Sequence, residues 1–357
     1  MKNVKNLPKT IKIGSRFIGE GHPTLFIAEI GANFDGNLEK AKKLVLAAKE
    51  SGADVAKFQT FSTPKIVSEK GFSKMKLRGV HGSWGRTVNE VFKDAEFPRE
   101  WHKIIADYCK KVGIMFSSAA YDFEGVDLLD SLEVPFFKIG SGDITWHEIL
   151  KYTAKKGRPI MLGTGASTLA EVSEAVKVIT DTGNKKLVLL QCITNYPSKI
   201  ESANINVLKT YQGVFGVITG YSDHTPGDIV PLGAVALGGK VIEKHFTLNK
   251  KDKGPDHPHS LEPYEFKEMV GKIRELEKAL GSTIKKVVEE ESETVVVQRR
   301  SLCLNRNLVK GSVIKESDLI ELRPALGILP KLKKNVIGLT VKKNLYARDL
   351  LYWTAIR

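Results

Sequence analysis

The sequence predicts a (β/α)8 barrel followed by a small β-rich domain. Between residues 24 and 280, eight short apolar runs alternate with segments of helical periodicity, a rhythm typical of closed parallel barrels. Polar residues recur where these runs end, and active sites of such barrels lie at the carboxyl ends of the strands. After Gly281 the rhythm stops, and short β-like runs such as SLCLNRNL and VIGLTVKK follow.

A hairpin pattern, KTIKIG and then SRFIGEGHP, precedes the predicted barrel. The runs predicted as strands are residues 24–30, 54–60, 113–118, 134–140, 159–164, 187–193, 215–222 and 240–246. Two of the helical segments between and after them, LEKAKKLVLAAKESG and PYEFKEMVGKIRELEKALG, end in a glycine suited to a C-cap. Residues 61–97 form a long insertion after the second strand, and such insertions usually act as lids or binding loops.

The charged stretch TIKKVVEEESET marks the predicted domain boundary. We therefore expect a barrel domain at 1–284, a linker at 285–298 and a second domain at 299–357. This second domain is basic, with 13 Lys and Arg against 4 Asp and Glu.

The composition favours a globular cytoplasmic protein, with 42% hydrophobic and 27% charged residues. No signal-like or membrane-spanning apolar stretch occurs, so we expect no membrane partner. The three cysteines have no C-x-x-C spacing and predict neither a zinc cluster nor a disulfide framework. The net charge of +14 would attract polyanions, but the basic residues are dispersed among acids, so we expect no nucleic-acid partner.

Polar side chains follow or end each predicted strand. They are Glu29, Lys57, Gln59, Ser117, Ser118, Lys138, Ser141, Thr164, Thr194, Asn195, Tyr196, Ser222, Asp223, His224 and His245. Because these ends meet at one rim of a barrel, the residues are predicted to share a pocket.

His224 and His245 end neighbouring predicted strands, so their imidazoles should meet. Two neutral imidazoles suit a divalent transition metal with open positions for substrate. The competing interpretation is that each histidine is a satisfied core or surface residue.

Lys57 and Lys138 end apolar strands, where an unpaired ammonium is costly unless it meets an anion. They predict a cradle for phosphate and carboxylate groups, although salt bridges to Glu29 or Asp143 would also explain them. Glu29 is the best candidate for a general acid or base, unless it only pairs with Lys57. The sequence lacks a Walker A loop, a G-x-G-x-x-G fingerprint and an H-E-x-x-H motif, which weakens nucleotide, dinucleotide and zinc-protease interpretations.

A set of ordered motifs resembles one known family. The motifs are IAEIGANFDG (27–36), VAKFQT (55–60), PFFKIGSGD (135–143), LQCITNYP (190–197), GYSDHT (220–225), EKHFTL (243–248) and GPDHPHSLEP (254–263). Together they are similar to the N-acetylneuraminate (sialic acid) synthase family, which also makes legionaminic, pseudaminic and phosphorylated sialic acids. The tail motifs QRRSL, ELRPALGI and VIGLTVKK resemble the family's antifreeze-like SAF domain.

The resemblance implies a condensation of phosphoenolpyruvate with an N-acetylmannosamine-like amino sugar, assisted by manganese or, alternatively, magnesium or cobalt. His224 and His245 match metal ligands. The phosphoenolpyruvate positions are Lys57, Ser118, Lys138, Ser141, Thr164, Thr194 and Ser222. The sugar positions are Glu29, Gln59, Tyr196, Asp256 and Arg323. We expect Glu29, Lys57, Lys138, Asp143 and Arg323 to act in catalysis, with Arg323 lent by the partner subunit of a domain-swapped homodimer.

The sequence departs from the family pattern at three positions. Gly163 stands where many relatives have a serine that touches phosphoenolpyruvate, so this contact is lost or moves to Thr164. Asp143 replaces a frequent glutamate. Ala325 replaces a glycine two residues after Arg323.

The identity of the sugar stays open at this point. HGSWGRT (81–87) resembles the animal-type branch that accepts a 6-phosphorylated sugar, and diacetamido sugars of the legionaminic or pseudaminic type also fit the family. Three competing functions stay open as well: an octulosonate or heptulosonate phosphate synthase, a saccharide-binding protein, and a nucleic-acid binder that uses residues 299–357.

Overall fold

Eight parallel strands close into a barrel, as the sequence predicts. The computed structural model describes residues 7–76 and 85–357. The strands before and within the barrel are β1 Thr10–Ile13, β2 Arg16–Gly19, β3 Leu25–Glu29, β4 Val55–Thr60, β5 Met115–Ala120, β6 Phe137–Ile139, β7 Ile160–Gly163, β8 Leu187–Gln191, β9 Ile218–Asp223 and β10 Val241–His245. Strands β3 to β10 pair in chain order, and β10 closes the ring against β3 with His245 opposite Glu29.

Helices follow the barrel strands and cover the outside of the ring. The longer ones are Leu38–Glu50, Val88–Ala95, Trp101–Val112, Phe123–Ser131, His147–Lys155, Leu169–Asp181, Val207–Phe215, Ile229–Ala236 and Pro263–Leu280, with short turns at Thr63–Ile66, Glu69–Phe72, Ser141–Asp143, Ile200–Ser202 and His257–His259. Local signals explain their ends. At the start of Leu38–Glu50, the Asn37 side chain accepts a hydrogen bond from the Lys40 amide. Gly281 caps the carboxyl end of Pro263–Leu280.

Alternation along the strands divides the barrel interior into two layers. Ile27 and Val241 point inward at the amino-terminal end and pack against Ile11, Ile13 and Ile18 of the β1–β2 hairpin. This hairpin closes the floor of the barrel with an apolar plug. Because side chains alternate with a period of two, the next inward positions lie at the carboxyl ends, where the polar residues lie.

The insertion after β4 contains Thr63–Ile66, Glu69–Phe72 and the helix Val88–Ala95. Thr87 and Glu90 form a capping box that starts the last of these. The first four residues of HGSWGRT lie outside the described residues.

A second unit begins at Ser282, directly after Gly281. It contains β11 Ser301–Leu304 paired antiparallel with β12 Leu319–Leu322, helices Ser292–Gln298 and Lys333–Val336, and short turns at Glu289–Glu291, Glu316–Asp318, Pro330–Leu332 and Trp353–Ala355. Its own apolar core includes Leu302, Ile314 and Val341. Its membership of the SAF type stays a prediction. Within residues 7–76 and 85–357, no helix is long and apolar enough to cross a membrane.

Candidate active site

Two lysine–glutamate pairs lie buried at the carboxyl end of the barrel. Lys57 Nζ is 2.5 Å from Glu29 Oε2, and Lys138 Nζ is 2.8 Å from Glu243 Oε1. The pairs touch each other, because Lys57 Nζ is also 3.6 Å from Glu243 Oε1. Barrel register explains the first pair, since Glu29 and Lys57 are direct neighbours on β3 and β4. Removing one partner of such a buried pair leaves an uncompensated charge, so the four groups act as a unit.

The two carboxylates have opposite pKa shifts. Burial raises the pKa of Glu29 to about 6, against the opposing pull of Lys57. Burial also disfavours the charged form of Glu243, but Lys138 and Lys57 outweigh it and hold that pKa at about 2. Gln59 Nε2 donates to Glu29 Oε1 at 2.7 Å. Glu29 can therefore gain and lose a proton near neutral pH, whereas Glu243 stays charged.

The imidazoles of His224 and His245 face each other, with ring centroids 5.5 Å apart. The Nδ1–H of His224 donates to the Ile193 carbonyl oxygen at 2.8 Å, because a carbonyl can only accept. This bond leaves Nε2 as an acceptor or ligand. Burial lowers the pKa of His224 to about 3 and also lowers the pKa of His245. Both rings are therefore neutral, which is the form that binds metals.

A third histidine and an aspartate adjoin this pair. His245 Nδ1 lies 3.8 Å from Asp256 Oδ2, and His259 Nε2 lies 3.9 Å from Asp256 Oδ1. Both of these ring nitrogens are buried without a hydrogen-bond partner. Because ligand atoms of His245, Asp256 and His259 lie within 4.8 Å of one another, the three residues could hold a metal ion.

A cavity of about 550 Å³ joins these groups. Its lining includes Glu29, Lys57, Gln59, Lys138, Ser141, Thr194, Tyr196, Ser222, His224, Glu243 and His245. Ser222 Oγ donates to Glu243 Oε1 at 3.0 Å, and Ser141 Oγ accepts from the Gly165 amide at 2.9 Å. The Tyr196 ring lies over His224 with centroids 4.2 Å apart.

Comparison with known proteins identifies the family. The NeuB family matches residues 44–285. This chain belongs to the NeuB family. The N,N'-diacetyllegionaminic acid synthase of Legionella pneumophila is 40% identical over 95% of this chain and 96% of its own length. The N-acetylneuraminate-9-phosphate synthase of Mus musculus is 40% identical over 76% of each chain.

A solved structure agrees with the family assignment. The N-acetylneuraminic acid synthetase of Leptospira borgpetersenii, crystallised with citrate, superposes with a TM-score of 0.73 at 27% identity and covers 81% of this chain and 96% of its own. The predicted relation to sialic acid synthases is thereby confirmed, as is the predicted enzyme class.

Two hydroxyls predicted at the pocket of this NeuB-family chain point elsewhere, and the prediction needs correction. Ser118 lies on the outward face of β5, where its Oγ is 2.6 Å from Thr60 Oγ1 in the layer between strands and helices. Thr164 donates to the Leu190 carbonyl oxygen at 3.0 Å and accepts from Tyr211 at 3.0 Å. Neither hydroxyl lines the cavity. Strand alternation is the reason, since the inward neighbours are Ala119 and Gly163.

Gly163 accordingly marks a close approach of the backbone to the site. A Cβ atom added there would lie 2.7 Å from Ser141 Oγ. The serine contact seen in the family pattern at this position is therefore absent here, and Thr164 does not replace it.

Six other predicted residues are not part of the lining of this cavity, which is called the inner cavity below: Ser117, Asp143, Asn195, Asp223, Asp256 and Arg323. Asp143 follows Ser141 in a short turn; its Oδ2 is buried without a hydrogen-bond partner, and burial raises its pKa to about 6. Asp256 accepts from the Ala32 amide at 3.1 Å. Arg323 is exposed in the second unit, just before Pro324, and its role stays a prediction.

Sequence reasoning missed Glu243 and assigned no role to His259. Glu243 lies inside the run KVIEKHF, two residues before His245, and the period of a strand puts both on the same face. His259 lies in the loop after β10, which belongs to the active-site rim of a barrel. The two-residue spacing of Glu243 from His245 and the position of His259 after the last barrel strand could therefore have identified both residues from the sequence, once the strand register is known.

Proposed function

We propose that this chain condenses phosphoenolpyruvate with the open-chain form of an N-acyl amino sugar, giving a nonulosonic acid and phosphate with the help of a divalent metal. The observation that supports this most directly is the single cavity in which two buried lysine–glutamate pairs face two neutral imidazoles. Membership of the NeuB family supports the same reaction class.

Lys57 and Lys138 are the proposed binding groups for the phosphate and carboxylate of phosphoenolpyruvate. In the free site their charges are balanced by Glu29 and Glu243, so the four groups sum to zero when all are ionised. An incoming anion would compete with these carboxylates. Because the pKa of Glu29 is about 6, protonation of Glu29 can release Lys57 to the anion. Hydroxyls of Ser141, Ser222 and Thr194 would complete the cradle.

His224 and His245 are the proposed metal ligands. Their neutral rings and the free Nε2 of His224 fit a transition ion such as manganese or cobalt better than magnesium, which prefers oxygen ligands. Asp256 lies beside the unpartnered Nδ1 of His245 and can orient that ring. When bound, the metal would act as a Lewis acid that polarises the aldehyde oxygen of the sugar.

The reaction forms one carbon–carbon bond, and at C2 it replaces the bond to the phosphate oxygen with a bond to the oxygen of water. C3 of phosphoenolpyruvate attacks the aldehyde carbon, whose oxygen takes the proton of Glu29 to become a hydroxyl, and positive charge develops at C2. Water adds at C2, and Glu29 takes a proton from it. The resulting intermediate collapses to a ketone as the bond from C2 to the phosphate oxygen breaks, and the departing phosphate takes the remaining proton of that water. Lys57 and Lys138 stabilise the charge on the departing phosphate.

A phosphate-release assay tests this proposal. Phosphate should appear only when phosphoenolpyruvate, an N-acylhexosamine and a divalent metal are all present. The double substitution His224→Ala with His245→Ala should abolish both turnover and retained metal while the circular dichroism spectrum stays unchanged. Unchanged turnover in chelator would exclude the metal role, and preference for a phosphorylated aldose without an amino group would favour an octulosonate-type synthase.

Arg323 is proposed to complete the barrel of a partner subunit. Mixing an Arg323→Ala protein with the double histidine variant tests this directly after subunit exchange. In a swapped dimer, one barrel then combines intact histidines with an intact arginine, so activity should return. Mixtures that stay inactive after confirmed exchange would show that each subunit uses its own arginine, and an Arg323→Ala protein that is active by itself would show that the arginine has no role.

A further inference from the structure

A second cavity adjoins the candidate active site. This outer cavity has a volume of about 860 Å³ and shares Gln59, Tyr121, Tyr196 and His245 with the inner one. Because both cavities contact these four side chains, a molecule whose reacting end lies at the two imidazoles would have its remote end beside the outer cavity.

The rest of the outer cavity is mainly apolar. Phe61 and Ile66 come from the chain just after β4, and Val91, Phe92 and Ala95 come from the helix Val88–Ala95. The rings of Phe61 and Phe92 lie 5.6 Å apart, centroid to centroid. The long insertion after β4 thus supplies an apolar wall beside a polar reaction site, an arrangement that fits a ligand with one polar and one apolar end.

The charge of the outer cavity disfavours an anion. Among the described residues that line it, there is no lysine or arginine, and Asp256 contributes a carboxylate. A phosphate monoester carries about −1.5 to −2 charges at pH 7. Placing such a group among these described residues would desolvate it beside a carboxylate and without a counter-charge from them, which is unfavourable.

Among residues 7–76 and 85–357, the surface next to the outer cavity supplies no excess of cations. A further cavity next to the outer one contains Arg86 and Lys253, but also Asp35 and Asp94. Arg86 is already paired with Asp94 at 2.7 Å. These four charges cancel, so a phosphate that reached this point would meet carboxylates as well as cations.

We propose that the outer cavity receives the end of the acceptor sugar remote from the aldehyde and selects uncharged methyl or N-acyl groups there over a phosphate. This inference rests on the proposed function and narrows its substrate to an unphosphorylated, N-acylated deoxy amino sugar. It runs against the animal-type resemblance of HGSWGRT, of which only Gly85, Arg86 and Thr87 belong to the described residues.

Acceptor competition tests the inference on the full-length protein with phosphoenolpyruvate and manganese. The acceptors are N-acetylmannosamine, its 6-phosphate and a diacetamido trideoxyhexose. We expect kcat/KM for the diacetamido sugar to exceed that for the 6-phosphate by roughly tenfold or more, the discrimination that an apolar pocket gives. An equal or better 6-phosphate would overturn the inference.

A positive charge placed inside the cavity should oppose the preference. Phe92→Lys should move the ratio of the two kcat/KM values toward the 6-phosphate by roughly tenfold, whereas Asn89→Lys, on the same helix but not in the lining, should leave it unchanged. Arg86→Ala with Lys253→Ala should not lower kcat/KM for the 6-phosphate. A selective loss there would show that the neighbouring cavity binds phosphate and would refute the inference.

Failure of the proposed function would look different. If no acceptor released phosphate, the condensation itself would be wrong. Isothermal titration of the three sugars would still rank their binding, and the tightest binding by the 6-phosphate would then overturn the inference on its own.

Discussion

Replacing Glu243 by glutamine is the sharpest test of the buried charge cluster. The carboxylate accepts from Lys138 at 2.8 Å and from Ser222 at 3.0 Å, and it is 4% exposed. Glu243→Gln keeps the shape of the side chain but leaves the four-group cluster with one unbalanced positive charge. A pKa lowered from 4.5 to about 2 corresponds to about 3 kcal/mol, and breaking buried pairs costs about 3–5 kcal/mol.

We therefore expect the free energy of unfolding to fall by about 3 kcal/mol at pH 7, measured by urea denaturation with tryptophan fluorescence. The sign of the pH dependence follows from the lowered pKa. The stability that this carboxylate contributes is fully present above pH 4.5 and is lost as the pH falls toward 2, so the difference from the wild type should shrink in acid. Phosphoenolpyruvate should raise the stability of the variant more than that of the wild type, because it supplies the missing anion.

Glu39→Gln is the matched control. Its side chain is 71% exposed and pairs with Lys42 at 2.6 Å on the surface, where such pairs contribute at most about 1 kcal/mol. If Glu243→Gln cost no more than this control, the cluster would not be the tightly coupled unit described above.

Three further outcomes are expected. Burial lowers the pKa of His102 to about 4, so the wild type should lose stability as the pH falls from about 6.5 to 4, and His102→Gln should flatten that slope in urea midpoints. Gly163→Ala should lower the free energy of unfolding by about 1–3 kcal/mol through the clash with Ser141 Oγ, whereas Gly213→Ala, in open space within a helix, should raise it. Burial raises the pKa of Asp143 to about 6, so the wild type loses stability as the pH rises through 6 and this carboxyl becomes charged. Asp143→Asn should therefore have a higher melting temperature than the wild type at pH 8 but not at pH 4, and equal shifts at both pH values would exclude this charge effect.

The barrel strands and most of the polar residues at their carboxyl ends could be predicted from the sequence, because buried parallel strands appear as apolar runs. Each of the eight predicted runs overlaps one barrel strand, although β5 extends two residues and β9 one residue beyond the predicted run. The polar residue types at the strand ends were recognised. The sequence predicted less well on which face of its strand each side chain lies. Ser118 and Thr164 have the right residue type near a strand end, but a shift of one position in a strand turns a side chain to the other face.

The amino-acid sequence by itself determined the repeating strand–helix rhythm, the family and the kinds of polar group at the rim. Only the tertiary structure decided which groups meet. Lys138 and Glu243 are 105 residues apart in the chain and form an ion pair because closure of the ring turns both toward its axis. The same closure buries Glu29 and Glu243 next to different numbers of lysines, which separates their pKa values in a way that residue type alone does not encode.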